Sequence, residues 1–104
     1  MEYQGVRYLY TGDYKLQEDP TCEPIQVVQA DVLITETTFA DPDVVHPDPV
    51  EEIRKLNAIN GNILLGCYTL GKAQRITHLL NTYCPDKVVL LHHRMTMAHR
   101  LYDE

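Results

Sequence analysis

Three apolar runs, each followed by a helix pattern, restrict what this chain can fold into more than any other feature. They are "DVLITE" (31–36), "NILLGCYTL" (62–70) and "KVVLLHH" (87–93). Continuous apolar runs of this length read as strands buried on both faces. After the first run a proline- and aspartate-rich loop leads to a helix start. There Asp48 is a good N-cap, Pro49 fits the first turn, and Glu51 and Glu52 favour the positive end of the helix dipole. That helix runs through Ile53, Leu56 and Ile59 and stops at Asn60-Gly61. A second opens at Gly71, carries Ala73, Ile76, Leu79, Leu80 and Tyr83 on one face, and ends at Cys84-Pro85-Asp86. "MTMAHRLYDE" begins a third. Strand and helix alternating with short connections predict an α/β fold: a three-layer, mostly parallel sheet with flanking helices, joined by right-handed crossovers. Upstream, "GVRYLYTG" alternates in polarity and reads as a half-buried strand or the second arm of a hairpin, with its place relative to the parallel set left open.

Several function classes are excluded or disfavoured. No apolar run approaches the roughly 18 residues of a membrane span, and "MEYQGVRYLY" has neither the basic start nor the apolar stretch of a signal peptide, so the chain reads as cytoplasmic. Cys22, Cys67 and Cys84 form no Cys-x-x-Cys pair, which disfavours a disulfide framework or zinc knuckle and predicts reduced thiols. A net charge of −6 opposes nonspecific attraction to phosphate backbones, so any contact with nucleic acid has to be local. The strand-like start and the uncapped helical end read as an internal piece of a longer protein.

Four places carry residues able to do chemistry. Gly12-Asp13 closes the N-terminal strand; taken alone it reads as a turn, although a strand end is where a scaffold presents working side chains. Glu36, followed by Thr37-Thr38, closes "DVLITE", and ligands of parallel sheets bind outside the carboxyl ends of their strands; the plainer reading is a loop or capping acid. "YTLGKAQR" enters a helix through Gly71, placing Lys72 and Arg75 beside free backbone N–H groups that favour an anion, without the spacing of a P-loop. His92 and His93 end the last run, where alternation lets at most one face a site; His46, His78 and His99 have no metal-ligand spacing.

In order and approximate spacing, "YTGDYKLQEDPTCEP", "ADVLITETTFADP" and "LLGCYTLGKAQRITHLL" resemble the middle of metallo-β-lactamase-fold nucleases of the β-CASP group. That group includes RNA 3′-end processing nucleases and DNA-ligase-associated exonucleases, and the residues after Gly12-Asp13 are most similar to the latter. The resemblance covers nearly the whole chain. It implies that residues 1–40 end the metallo-β-lactamase-like half, with the N-terminal strand or hairpin, and that 41–104 begin the β-CASP cassette, the two packing as one unit. Asp13 then matches a carboxylate that bridges two metal ions, and Glu36 an acid that opens the cassette and holds a catalytic histidine. Gly71, Lys72, Ala73, Gln74 and Arg75 match a Gly-Arg-Ala-Gln-Glu-like helix start, with Lys72 for Arg and Arg75 for Glu. Lys72 and Arg75 are thereby expected to meet nucleic acid, with Thr37, Thr38, Gly71 and Gln74 in support.

The chemistry implied for an intact enzyme is phosphodiester hydrolysis assisted by two zinc ions, in RNA processing or DNA repair. A DNA ligase or helicase system is an implied partner. The family's His-x-His-x-Asp-His run is absent from the 104 residues, and one carboxylate does not hold zinc firmly. Alone, the chain is expected to be inert, to bind no zinc tightly, and to associate as a homodimer or higher oligomer. The rival reading is a non-catalytic, doubly wound module that binds an anion or nucleotide.

Overall fold

The computed structural model describes residues 1–103 as a small α/β arrangement of three strands and three helices. Two compact units divide the chain, the first from Met1 to Val45 and the second from His46 on.

The first unit is a three-stranded sheet. β1 (Glu2–Tyr3) and β2 (Val6–Tyr10) form an antiparallel hairpin, with Glu2 opposite Arg7 and Tyr3 opposite Val6. Its two turn residues, Gln4 and Gly5, have φ of 51° and 75°. Positive φ at both positions gives the turn the twist of the flanking strands. β3 (Val32–Ile34) lies parallel to β2, with Tyr8, Leu9 and Tyr10 opposite Val32, Leu33 and Ile34. Asp31 sets this register: its N–H donates to Arg7 O (2.9 Å), and its Oδ2 accepts the Arg7 N–H (2.8 Å).

Parallel strands need a long crossover. Here it is residues 11–31, an irregular loop rather than a helix. Asp19, its side chain almost wholly buried, organises the loop by pairing with Lys15 and accepting from the Thr21 N–H (2.9 Å) and hydroxyl (2.6 Å). This accounts for the acid-Pro-Thr sequence there: Asp19 makes the turn. β3 was expected to be buried on both faces, yet Leu33 is 59% exposed. It is an edge strand, and no helix of this unit covers it among the described residues.

The second unit is built on helices. α1 (Pro49–Lys55) starts as the sequence predicts, with Asp48 Oδ1 accepting from the Val50 and Glu51 N–H groups (2.8 and 2.9 Å). It tightens into a 3-10 turn at Leu56–Ala58. α2 (Lys72–Tyr83) supplies the core: Ala73, Leu79 and Leu80 are buried, and Cys84 just beyond its end is fully buried. α1 docks there through the Cys84 thiol donating to Ile53 O (3.3 Å), Asn57 Nδ2 donating to Tyr83 O (2.9 Å) and the Arg54 guanidinium over the Tyr83 ring. α3 (Thr96–Tyr102) follows a 3-10 turn at His93–Met95.

The predicted strands at 62–70 and 87–93 form no ladder among the described residues. Among the described residues their backbone bonds are confined to turns at their ends, such as Ala73 N–H to Tyr68 O and Lys87 N–H to Cys84 O. A parallel strand persists only where a neighbour takes its N–H and C=O groups. Neither run has one, and Leu64 and Leu90 stay 98% and 88% exposed.

Candidate functional site

In the first unit, parallel pairing decides where the two acids fall. Because Tyr10 stands opposite Ile34, the residues that follow them, 11–13 and 35–36, leave the sheet at the same carboxyl edge. The Thr11 N–H donates to Ile34 O (3.1 Å), and the Thr11 and Thr35 hydroxyls lie 3.2 Å apart, extending the pairing one step beyond the strands. Gly12 then turns the chain with φ of +58°, a conformation costly for a side chain bearing Cβ. Asp13 follows, exposed and with no hydrogen bond or ion pair among the described residues.

Glu36 differs in being only partly exposed, and its Oε2 accepts the Thr38 N–H at 2.7 Å. The Thr37 carbonyl accepts the Ala40 N–H (3.2 Å), so Thr37 and Thr38 shape the turn after β3. One carboxylate at this edge is thus held by the backbone and the other is open to a ligand.

Among the described residues no three His, Cys, Asp or Glu side chains gather as a metal-binding group. This chain's own residues therefore do not fit a metal centre by themselves; Asp13 is a single available carboxylate.

In the second unit, Gly71 has φ of +78° and turns the chain into α2. Several N–H groups expected to be free here are engaged. Gly71 N–H donates to Gln74 Oε1 (2.6 Å), Lys72 N–H to Leu70 O (3.0 Å) and Ala73 N–H to Tyr68 O (3.1 Å). The 68–71 turn folds back on the helix start and takes those donors, so attraction for an anion rests on side chains. Lys72 is exposed, its Nζ 5.4 Å from the centre of the Tyr68 ring, while Arg75 is half-buried. Gln74, only 4% exposed, bonds with Thr69 O and His99 as well as Gly71. Nothing in the spacing of Gln74 and His99, 25 residues apart, pointed to this contact.

His92 and His93 depart from strand alternation. His92 caps the 3-10 turn, accepting the Arg94 N–H at Nδ1, and the two rings lie 4.2 Å apart. Since the chain is turning there, consecutive side chains fall on one side. No helix among the described residues is long and apolar enough to cross a membrane.

Comparison with known proteins places these residues in a sequence context. An endoribonuclease of Schizosaccharomyces pombe is 35% identical over 91 residues, 80% of this chain and 12% of the relative. A protein described as a probable DNA ligase, from Opitutus terrae, is 32% identical over 103 residues, 92% of this chain and 10% of its own length. Cleavage and polyadenylation specificity factor subunit 3 of Dictyostelium discoideum is 33% identical over 92 residues, 80% of this chain and 12% of the relative. The chain thus spans about a tenth of the length of these relatives. No family model matches it. No solved structure matches it.

Proposed function

The chain belongs with the β-CASP nucleases of the metallo-β-lactamase fold, which it matches over one segment, and on that premise we propose that it serves in the hydrolysis of nucleic-acid phosphodiester bonds. The observation that carries this reading is the parallel β2–β3 pair, which delivers Asp13 and Glu36 to one edge of one sheet. Asp13 contributes a single carboxylate to a metal site whose histidines come from elsewhere, with zinc as the metal. Glu36, anchored on Thr38, orients a neighbouring group rather than binding metal itself. Lys72 and Arg75 meet phosphate through their side chains, Gly71 and Gln74 setting the turn that presents them. RNA is the favoured substrate, since two of the relatives described above are an endoribonuclease and a cleavage and polyadenylation factor.

The same reading makes 62–70 and 87–93 strands of a mostly parallel, three-layer sheet that forms once further strands pair with them. Their apolar content and exposure support this. It also assigns residues 1–40 to the metallo-β-lactamase-like half and 41–104 to the β-CASP cassette.

The test is a chimaera in which this chain replaces the matching segment of the S. pombe endoribonuclease. Hydrolysis of single-stranded RNA by the chimaera, with DNA as the parallel substrate, supports the reading. A folded chimaera that binds RNA but cuts neither leaves the chain as a non-catalytic anion-binding module.

A further inference from the structure

We propose that His99 is a positioning residue for the start of α2. Acting through Gln74, it fixes the turn that presents Lys72 and Arg75, and it does so as a neutral imidazole with its proton on Nε2. The proposal rests on the reading that Lys72 and Arg75 meet nucleic acid.

The surroundings of the Gln74 amide decide its orientation. Its Oε1 lies 2.6 Å from the Gly71 N–H, which can only donate, and its Nε2 lies 2.9 Å from Thr69 O, which can only accept. Flipping the amide would set donor against donor and acceptor against acceptor, so the second N–H of Nε2 points at His99 Nδ1, 3.1 Å away. Nδ1 must accept. A neutral ring with a bare Nδ1 carries its proton on Nε2, and that nitrogen lies 3.1 Å from the Thr77 hydroxyl, which accepts it.

A second acceptor, Met95 O, also lies 3.0 Å from Nδ1. A proton on Nδ1 would bond with Met95 O but point an N–H toward the Gln74 N–H. The link from α3 to the turn before α2 therefore exists in one tautomer. With Gln74 and His99 4% and 9% exposed, water is poorly placed to replace a broken bond. The buried Gln74 and His99 thus tie the exposed Thr69 and the half-buried Gly71 into one bonded unit, on which the direction of Lys72 depends.

Nitrogen-15 and carbon-13 shifts of the His99 ring, measured near neutral pH on the 104-residue chain, are expected to show the neutral Nε2–H form. An Nδ1–H or doubly protonated ring overturns the proposal. Two variants extend the test: His99→Leu removes the acceptor, and His99→Asn places a side-chain oxygen near the position of Nδ1. Losing a bond that helps hold the turn should speed Gly71 amide exchange about fivefold to tenfold in His99→Leu, with recovery to within about twofold in His99→Asn.

Affinity for an oligouridylate at low salt should follow the same order, His99→Leu weakening it about as much as Lys72→Ala. Unchanged Gly71 exchange in His99→Leu, or none of the recovery in His99→Asn, contradicts the proposal. Should the Leu variant fail to fold, the ring shifts and the protected Gly71 of His99→Asn decide. If Lys72→Ala leaves oligouridylate binding unchanged while Gly71 exchange behaves as expected, the nucleic-acid reading fails and the buried link stands.

Discussion

Single residues in this chain have roles that their backbone or partners impose. Gly71 is one: a Cβ built there meets nothing within 4 Å, so the cost of a side chain comes from φ of +78° and not from a clash. Gly71→Ala should destabilise the second unit by about 1–3 kcal/mol, the range for a residue held in a sparsely populated conformation. Urea unfolding followed by helical circular dichroism checks it; a loss below about 0.5 kcal/mol would show that the turn relaxes without strain. Asp19 and Glu36 illustrate how local acids divide their work. Asp19 is consumed by its own turn, whereas Glu36 binds one backbone N–H through one oxygen. The sequence marks Glu36 as a strand-end acid, while Asp19, whose partners Lys15 and Thr21 are equally local, goes unmarked because its turn carries no strand or helix pattern.

Elements were legible where their signals are local. The Asp48-Pro49 start of α1 and the Gly71 start and Cys84 end of α2 stand where capping and turn residues put them, and α3 begins inside "MTMAHRLYDE" without a side-chain cap. Asp48→Ala should therefore cost about 1 kcal/mol, the usual value for an N-cap carrying two backbone bonds. Thermal unfolding of the variant beside Asp48→Asn, which keeps an acceptor, separates capping from charge: Asn should recover most of the loss, and equal losses would assign the effect to the dipole instead.

Strands were less legible, for a physical reason. An apolar run states that a strand would be buried, but ladder bonds come from a neighbour, and "NILLGCYTL" and "KVVLLHH" have none among the described residues. "DVLITE" does pair, because Asp31 locks it to Arg7 and β2 supplies a ladder. The Gln74–His99 contact was invisible for a related reason: it joins residues far apart in sequence, and neither carries a spacing signature.

At the scale of the molecule, both units leave large apolar side chains exposed. The 62–70 and 87–91 segments present Leu64, Tyr68, Leu70, Val88 and Leu90 together with backbone groups outside any ladder. Such edges tend to pair with other strands. The chain should self-associate at tens of micromolar, about the range in which exposed edges drive association, and multi-angle light scattering should report a dimer or higher. A clean monomer there would show that these segments are solvated without a partner.

We propose that the carboxyl edge of β2 and β3 delivers a metal-binding carboxylate and a supporting acid to a nuclease site. Metal content and hydrolysis rate, measured together on the S. pombe chimaera, test it most directly. Asp13→Ala should lose bound metal and activity together, while Glu36→Gln should keep its metal and slow by about 10–100-fold, as expected of a group that orients a ligand. An Asp13→Ala chimaera that retains full metal content and full hydrolysis would contradict it.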